Sequence, residues 1–143
     1  MTETAGTGVA ALREVLAAEH AVVYGYGVAG ARLVGAGRRR AQRLWESHRA
    51  RRDQLSGLLA GLGAAPEPAA ATYALPEPVE SVDDARALAT LLEERLAAVW
   101  ADAVPLLAGE LRALAVTGLV DAAVAAARWR GSSVAFPGLA ERS

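Results

Sequence analysis

The chain has no cysteine, no lysine, no isoleucine and no asparagine. Without cysteine there is no disulfide, no thiolate nucleophile and no thiolate metal site. Without lysine, all fifteen cationic side chains are arginine. Together with the many Ala, Gly, Val and Pro residues, that choice follows from GC-rich codons and carries no argument about arginine chemistry. Aromatic residues make up only 5% of the chain against 53% hydrophobic, so the core is built from Ala, Leu and Val. Ala and Leu favour helices, which predicts an all-α fold. A net charge of −1 exerts no general pull toward nucleic acid or an anionic membrane. The apolar run from Ala21 to Ala31 ends at Arg32. That is well short of the roughly 20 residues a membrane span requires. Met1 to Gly8 is polar and lacks a hydrophobic signal core, so the expectation is a cytoplasmic protein. The length suits one domain over residues 1–143.

Four amphipathic stretches are present. The first helix is expected over 8–34, with Gly35, Ala36 and Gly37 as a turn, and the second over 38–62, stopped by Gly63. Residues 63–80 contain Pro66, Pro68, Pro76 and Pro78 and show no helical period, which predicts an extended connection. At ~3.1 Å per residue such a segment travels the length of a bundle and restarts at its other end. Ser81 followed by Asp84 has the spacing of a capping box and opens a third helix over 81–104. Pro105 and Gly109 mark a break before a fourth helix over 110–130, and Gly131 closes it. In the tail, 131–143, Phe136 is expected to pack back on the bundle. Two helices, a long crossover and two more helices is the connectivity of ferritin-like four-helix bundles.

Glu19 breaks the pattern of the first helix. Leu12, Leu16, Glu19, Val23, Tyr26, Gly30 and Leu33 share one face at a 3.6-residue period. A carboxylate at the centre of that face is costly unless a cation or donor meets it. The second helix offers His48 and Arg51 on its inner side, the fourth offers Asp121, and Glu93 on the third lies at a poor angle. The expected polar cluster is therefore Glu19, His48, Arg51 and Asp121, with Arg51 or Arg52 pairing to Glu19.

The segments LAAEHAVVYGYGVAGARL, SHRARRDQL, TYALPEPV and AARWRGSSVAFPGL resemble ferritin-like domain proteins of unknown function from high-GC bacteria. The resemblance implies a ferritin-like four-helix fold and supplies no activity. The chain departs from metal-binding ferritins in its ligands. A dimetal site in such a bundle takes a Glu from each of two helices and a Glu-x-x-His pair from each of the others. Here Ala17 stands three residues before His20 and Trp45 three before His48. Adjacent Glu19 and His20 point about 100° apart and do not chelate one ion. No cofactor is expected. The alternative is an iron- or manganese-dependent oxidoreductase or iron-handling protein using Glu19, His48, Glu93 and Asp121.

Other motifs carry less. Gly25, Gly27 and Gly30 match a dinucleotide fingerprint, but the alternating strands it needs are missing, so Gly27 and Gly30 are expected to thin a helix face. Seven arginines between Arg38 and Arg52 surround their helix beside Glu46 and Asp53, without an exposed aromatic ladder, which argues against nucleic acid. Ser47 beside His48 is no triad, and no catalytic residue is assigned. The outward sides of the first helix (Ala21, Tyr24, Val28) and the fourth (Val116, Val120, Val124) are also apolar. A homodimer through helices 1 and 4 is expected, unless the crossover and tail cover those faces.

Overall fold

A computed structural model describes residues 2–131 and 137–138. Its helices are α1 (Thr2–Gly30), α2 (Gly35–Gly61), α3 (Val82–Ala103) and α4 (Gly109–Arg130), with a short 3-10 turn at Val104–Leu106. Helices 1 and 2 do not break where their sequences suggest. The first helix begins at Thr2 instead of near Gly8 and ends at Gly30 instead of Val34. The added turn is exposed at Glu3, Ala5, Gly6 and Thr7, and Gly8 lies close to Leu106 and Leu107. At its other end Leu33 is buried, 2% exposed, but from the turn and not from the helix. Val34 is extended and Gly35 takes φ 56°, so the second helix starts three residues before Arg38. Helices 3 and 4 lie within a residue of their expected limits. Ser81 and Asp84 form a reciprocal capping box. The Glu80 amide and then the Ser81 hydroxyl hold the Asp84 carboxyl below its usual pKa. Phe136 and most of the tail lie outside the described residues.

Residues 62–81 contain no helix or strand and run along α1. His20 Nε2 meets the Glu67 carbonyl at 2.8 Å, the Tyr73 ring lies 5.4 Å from that of Tyr24, and Arg32 donates to the Val79 carbonyl. These contacts advance together from the middle of α1 to its end, where α3 begins. They also cover the Tyr24 side of α1 within the chain. Of the two faces expected to meet a second copy, the α4 face stays exposed, with Val120 at 53%.

The core is Leu and Ala with a few large side chains. Leu12, Leu16, Leu55, Leu59 and Leu96 are at most 1% exposed, each contributing about 1.5–3 kcal/mol by leaving water. α1 packs against α2 and α3, and α3 against α4. The fourth side of the square is different: no Cα atoms of α2 and α4 approach within 8 Å. The glycine close approaches also differ from expectation. A Cβ at Gly27 or Gly30 would meet nothing within 4 Å, so neither thins a contact. Gly25 makes room for Leu92, and Gly118 makes room for the indole of Trp100. Trp100 is 1% exposed, its indole seated against Gly118. Gly118→Ala is therefore expected to cost about 1–3 kcal/mol by overpacking. Gly27→Ala, on an open helical position, is expected to gain up to about 1 kcal/mol. Urea unfolding midpoints of the two variants check the opposite signs.

Candidate functional site

The period of α1 carries Glu19 into the centre of the bundle, where it is 1% exposed. Opposite it, α2 presents His48, also buried, with Ala41 and Leu55 one stretch of helix away on either side. Nδ1 of His48 lies 2.7 Å from Glu19 Oε2, and Nε2 lies 2.6 Å from Glu93 Oε1. Both acceptors are carboxylate oxygens, so the ring donates from both nitrogens as an imidazolium. Glu93 comes from α3 and is fully buried. The network continues. Tyr26 donates its hydroxyl to the same Glu93 oxygen at 2.9 Å, and Trp129 donates Nε1 to Tyr26 at 2.8 Å. The Tyr26 ring also stacks on His48, with centroids 5.7 Å apart. Every helix thus contributes one or two members of a single hydrogen-bonded chain.

Electrostatics follow from this geometry. Burial works against a charge on His48, but hydrogen bonds to Glu19 and then Glu93, with their negative charges, outweigh it. The pKa is raised from 6.5 to about 10. Burial, then the charge of Glu93, pushes the Tyr26 hydroxyl well above its ordinary range, so it stays a donor. Glu93 Oε2 is a buried oxygen without a partner among the described residues.

The residues named from sequence divide into two groups. Glu19 and His48 meet directly. Arg51 does not reach Glu19; it donates to Asp121 at 3.3 Å and lies over the Trp100 ring at 5.6 Å. Asp121 is not part of a buried cluster, because its side chain is 66% exposed at the edge of α4. Arg52 turns outward to Asp53. His20 points away toward the crossover. Glu93, despite its poor angle on a single stripe, is the second carboxylate at His48. Tyr26 and Trp129, core residues by their spacing, belong to the network as well. Their polar tips are the signal that periodicity misses: a Tyr and a Trp on inward stripes need partners when buried.

Above the cluster, the gap between α2 and α4 opens into a cavity of about 560 Å³. Glu19 and His48 form part of its wall, and Arg40, Arg43, Arg51 and Arg128 stand around it.

Two helices, a connection running along the first of them, and two further helices around a buried carboxylate–histidine centre define a ferritin-like domain. The chain belongs to the family described as Domain of unknown function (DUF4439), which matches residues 11–141. It is similar to a conserved hypothetical protein, rv2844, from Mycobacterium tuberculosis. Those two share 35% identity over 88% of this chain and 96% of that one, with a TM-score of 0.85. It also has the fold of ferritin-like, diiron-carboxylate proteins from Bacillus anthracis str. Ames. There the identity is 17%, coverage is 92% and 98%, and the TM-score is 0.73. No curated protein matches the chain.

The fold thus raises the question of a metal pair. The donor set does not fit one. Glu19 and Glu93 each meet His48, and both nitrogens of that ring are turned to carboxylates, leaving no lone pair for a metal. Among the described residues no group of three or more His, Asp or Glu side chains is arranged to hold an ion. Nor is any described helix long and apolar enough to cross a membrane.

Proposed function

We propose that this domain is a metal-free, non-catalytic structural or binding module of the cytoplasm, whose core is tied together by His48. One observation carries the reading: a single ring donates at 2.7 and 2.6 Å to carboxylates from two other helices. Two buried carboxylates facing one space need a cation between them. In dimetal bundles the ions supply that charge. An imidazolium supplies it here, with N–H groups aimed at fixed oxygens.

The alternative is an iron- or manganese-dependent oxidoreductase or iron-handling protein. The unpartnered Glu93 Oε2 favours it, because a cation would satisfy that atom. Metal analysis separates the two. After purification without chelator and incubation with Fe(II), Mn(II) or Zn(II), the chain is expected to retain far less than one ion. One or two ions held through gel filtration, and lost in Glu19→Gln, would overturn the metal-free reading and make redox activity the next assay.

A further inference from the structure

The side of the bundle left open between α2 and α4 has a cause in the sequence. On α2 the residues facing the gap recur at helical spacing, Arg40, Arg43, Leu44, Ser47 and Arg51, and three of them are arginines. On α4 small residues, Gly118, Ala122 and Ala125, alternate with Asp121, Val124 and Arg128. Leu44 is the one large aliphatic side chain on these two walls, too little apolar surface to draw the helices together. The space that results, about 560 Å³, falls in the size range of small-molecule sites.

We propose that this cleft binds a small amphipathic organic anion, its acidic head held between Arg43 and Arg128 and its apolar body laid against Leu44 and Val124. The proposal deepens the binding-module reading and rests on it. Two of the four guanidiniums are already positioned. Arg40 lies 5.2 Å over the Trp129 ring and donates to the Arg128 carbonyl; Arg51 lies over Trp100 and pairs with Asp121. The side chains of Arg43 and Arg128, from opposite walls, make no hydrogen bond or ion pair among the described residues. Four cations around one cavity focus a positive potential there. Asp121 is committed to Arg51 and Glu19 to His48, so neither carboxylate serves the two free arginines. The lining argues for an organic anion over a bare one, because Leu44 and Val124 give it apolar surface that solvent reaches. It also argues against a nucleic-acid strand: Trp100 is 1% exposed, and successive bases have no stacking platform.

The test uses 8-anilinonaphthalene-1-sulfonate, an aromatic anion, titrated by calorimetry and fluorescence into the full chain. Arg43→Gln/Arg128→Gln and Val120→Gln are compared with it. All three altered side chains are exposed, and equal thermal midpoints establish that the variants are folded. One saturable site per chain is expected. Binding should weaken about 100-fold in the double arginine variant, about tenfold per charged hydrogen-bonding group, and stay unchanged in Val120→Gln. Sodium sulfate should compete only weakly. Absence of saturable binding, equal affinity in the double variant, or loss on Val120→Gln would each overturn the site. Displacement by sulfate as effective as by a second aromatic anion would overturn the ligand class. These failures are distinguishable from that of the metal-free reading, which metal content alone decides.

Discussion

His48→Ala is expected to lower the unfolding free energy by about 3–5 kcal/mol, the cost of removing one partner from a buried ionic cluster. The substitution leaves Glu19 and Glu93, at 1% and 0% exposure, facing each other without a cation. It also removes the ring on which Tyr26 stacks. For a domain with a total stability of about 5–15 kcal/mol, that loss brings the folded state close to its threshold. The chain contains its own control. His20 is as buried as His48, 8% against 9%, yet its one partner is the Glu67 backbone carbonyl. His20→Ala is expected to cost about 1–2 kcal/mol, a hydrogen bond and some packing. Urea unfolding of both variants at pH 6.5 measures the difference. Equal losses would show that His48 is an ordinary core histidine and would sink the ionic bridge.

The second large effect is on pH. Because the folded pKa of His48 is raised to about 10 from 6.5, the folded state holds a proton that the unfolded state releases over that interval. The bridge therefore contributes fully below about pH 6.5. Its contribution falls as pH rises above that value and is gone once pH passes the folded pKa near 10. The loss across this window is on the order of several kcal/mol, since each pH unit between the two pKa values is worth about 1.4 kcal/mol. Unfolding free energies at pH 6, 8 and 9.5 should fall steadily in the unaltered chain and much less in His48→Gln. A flat profile in the unaltered chain would mean that His48 is neutral in the fold. The slope is unlike that of a metal centre, whose ligands bind better as they lose protons.

How legible the site is in the sequence depends on how many neighbours each helix has. α3 packs against both α1 and α4, so its buried arc is wide and takes in Ala85, Leu88, Ala89, Leu92, Glu93 and Leu96. A single inward stripe drawn through Leu88, Leu92 and Leu96 leaves Glu93 at a poor angle; the wide arc places it at the centre. The backbone of α2 comes close to that of α1 alone, so its buried arc is narrow: Ala41, His48, Leu55 and Leu59. That is why Arg51, expected in the core, lies only partly buried at the cavity edge, and why Leu62 is 52% exposed. On α4, Ala122 is buried and Asp121, one position earlier, is exposed. The cavity is hidden for the same reason, since the arginines of α2 look like a solvated face until α4 is placed opposite them.

By itself the sequence determined that the chain is four helices, where the capped and glycine-closed ends of the last two fall, and that Glu19 sits on a core face. Those properties follow from local spacing, capping chemistry and backbone conformation, each decided within a turn or two of helix. Tertiary structure alone decided which groups Glu19 and Glu93 meet, that Arg51 turns to Asp121, and that α2 and α4 stand apart. A shift of one residue moves a side chain about 1.5 Å along its helix and about 100° around it. Hydrogen bonds of 2.6 and 2.7 Å across three helices exist at one relative placement of those helices, and only packing the whole core selects it.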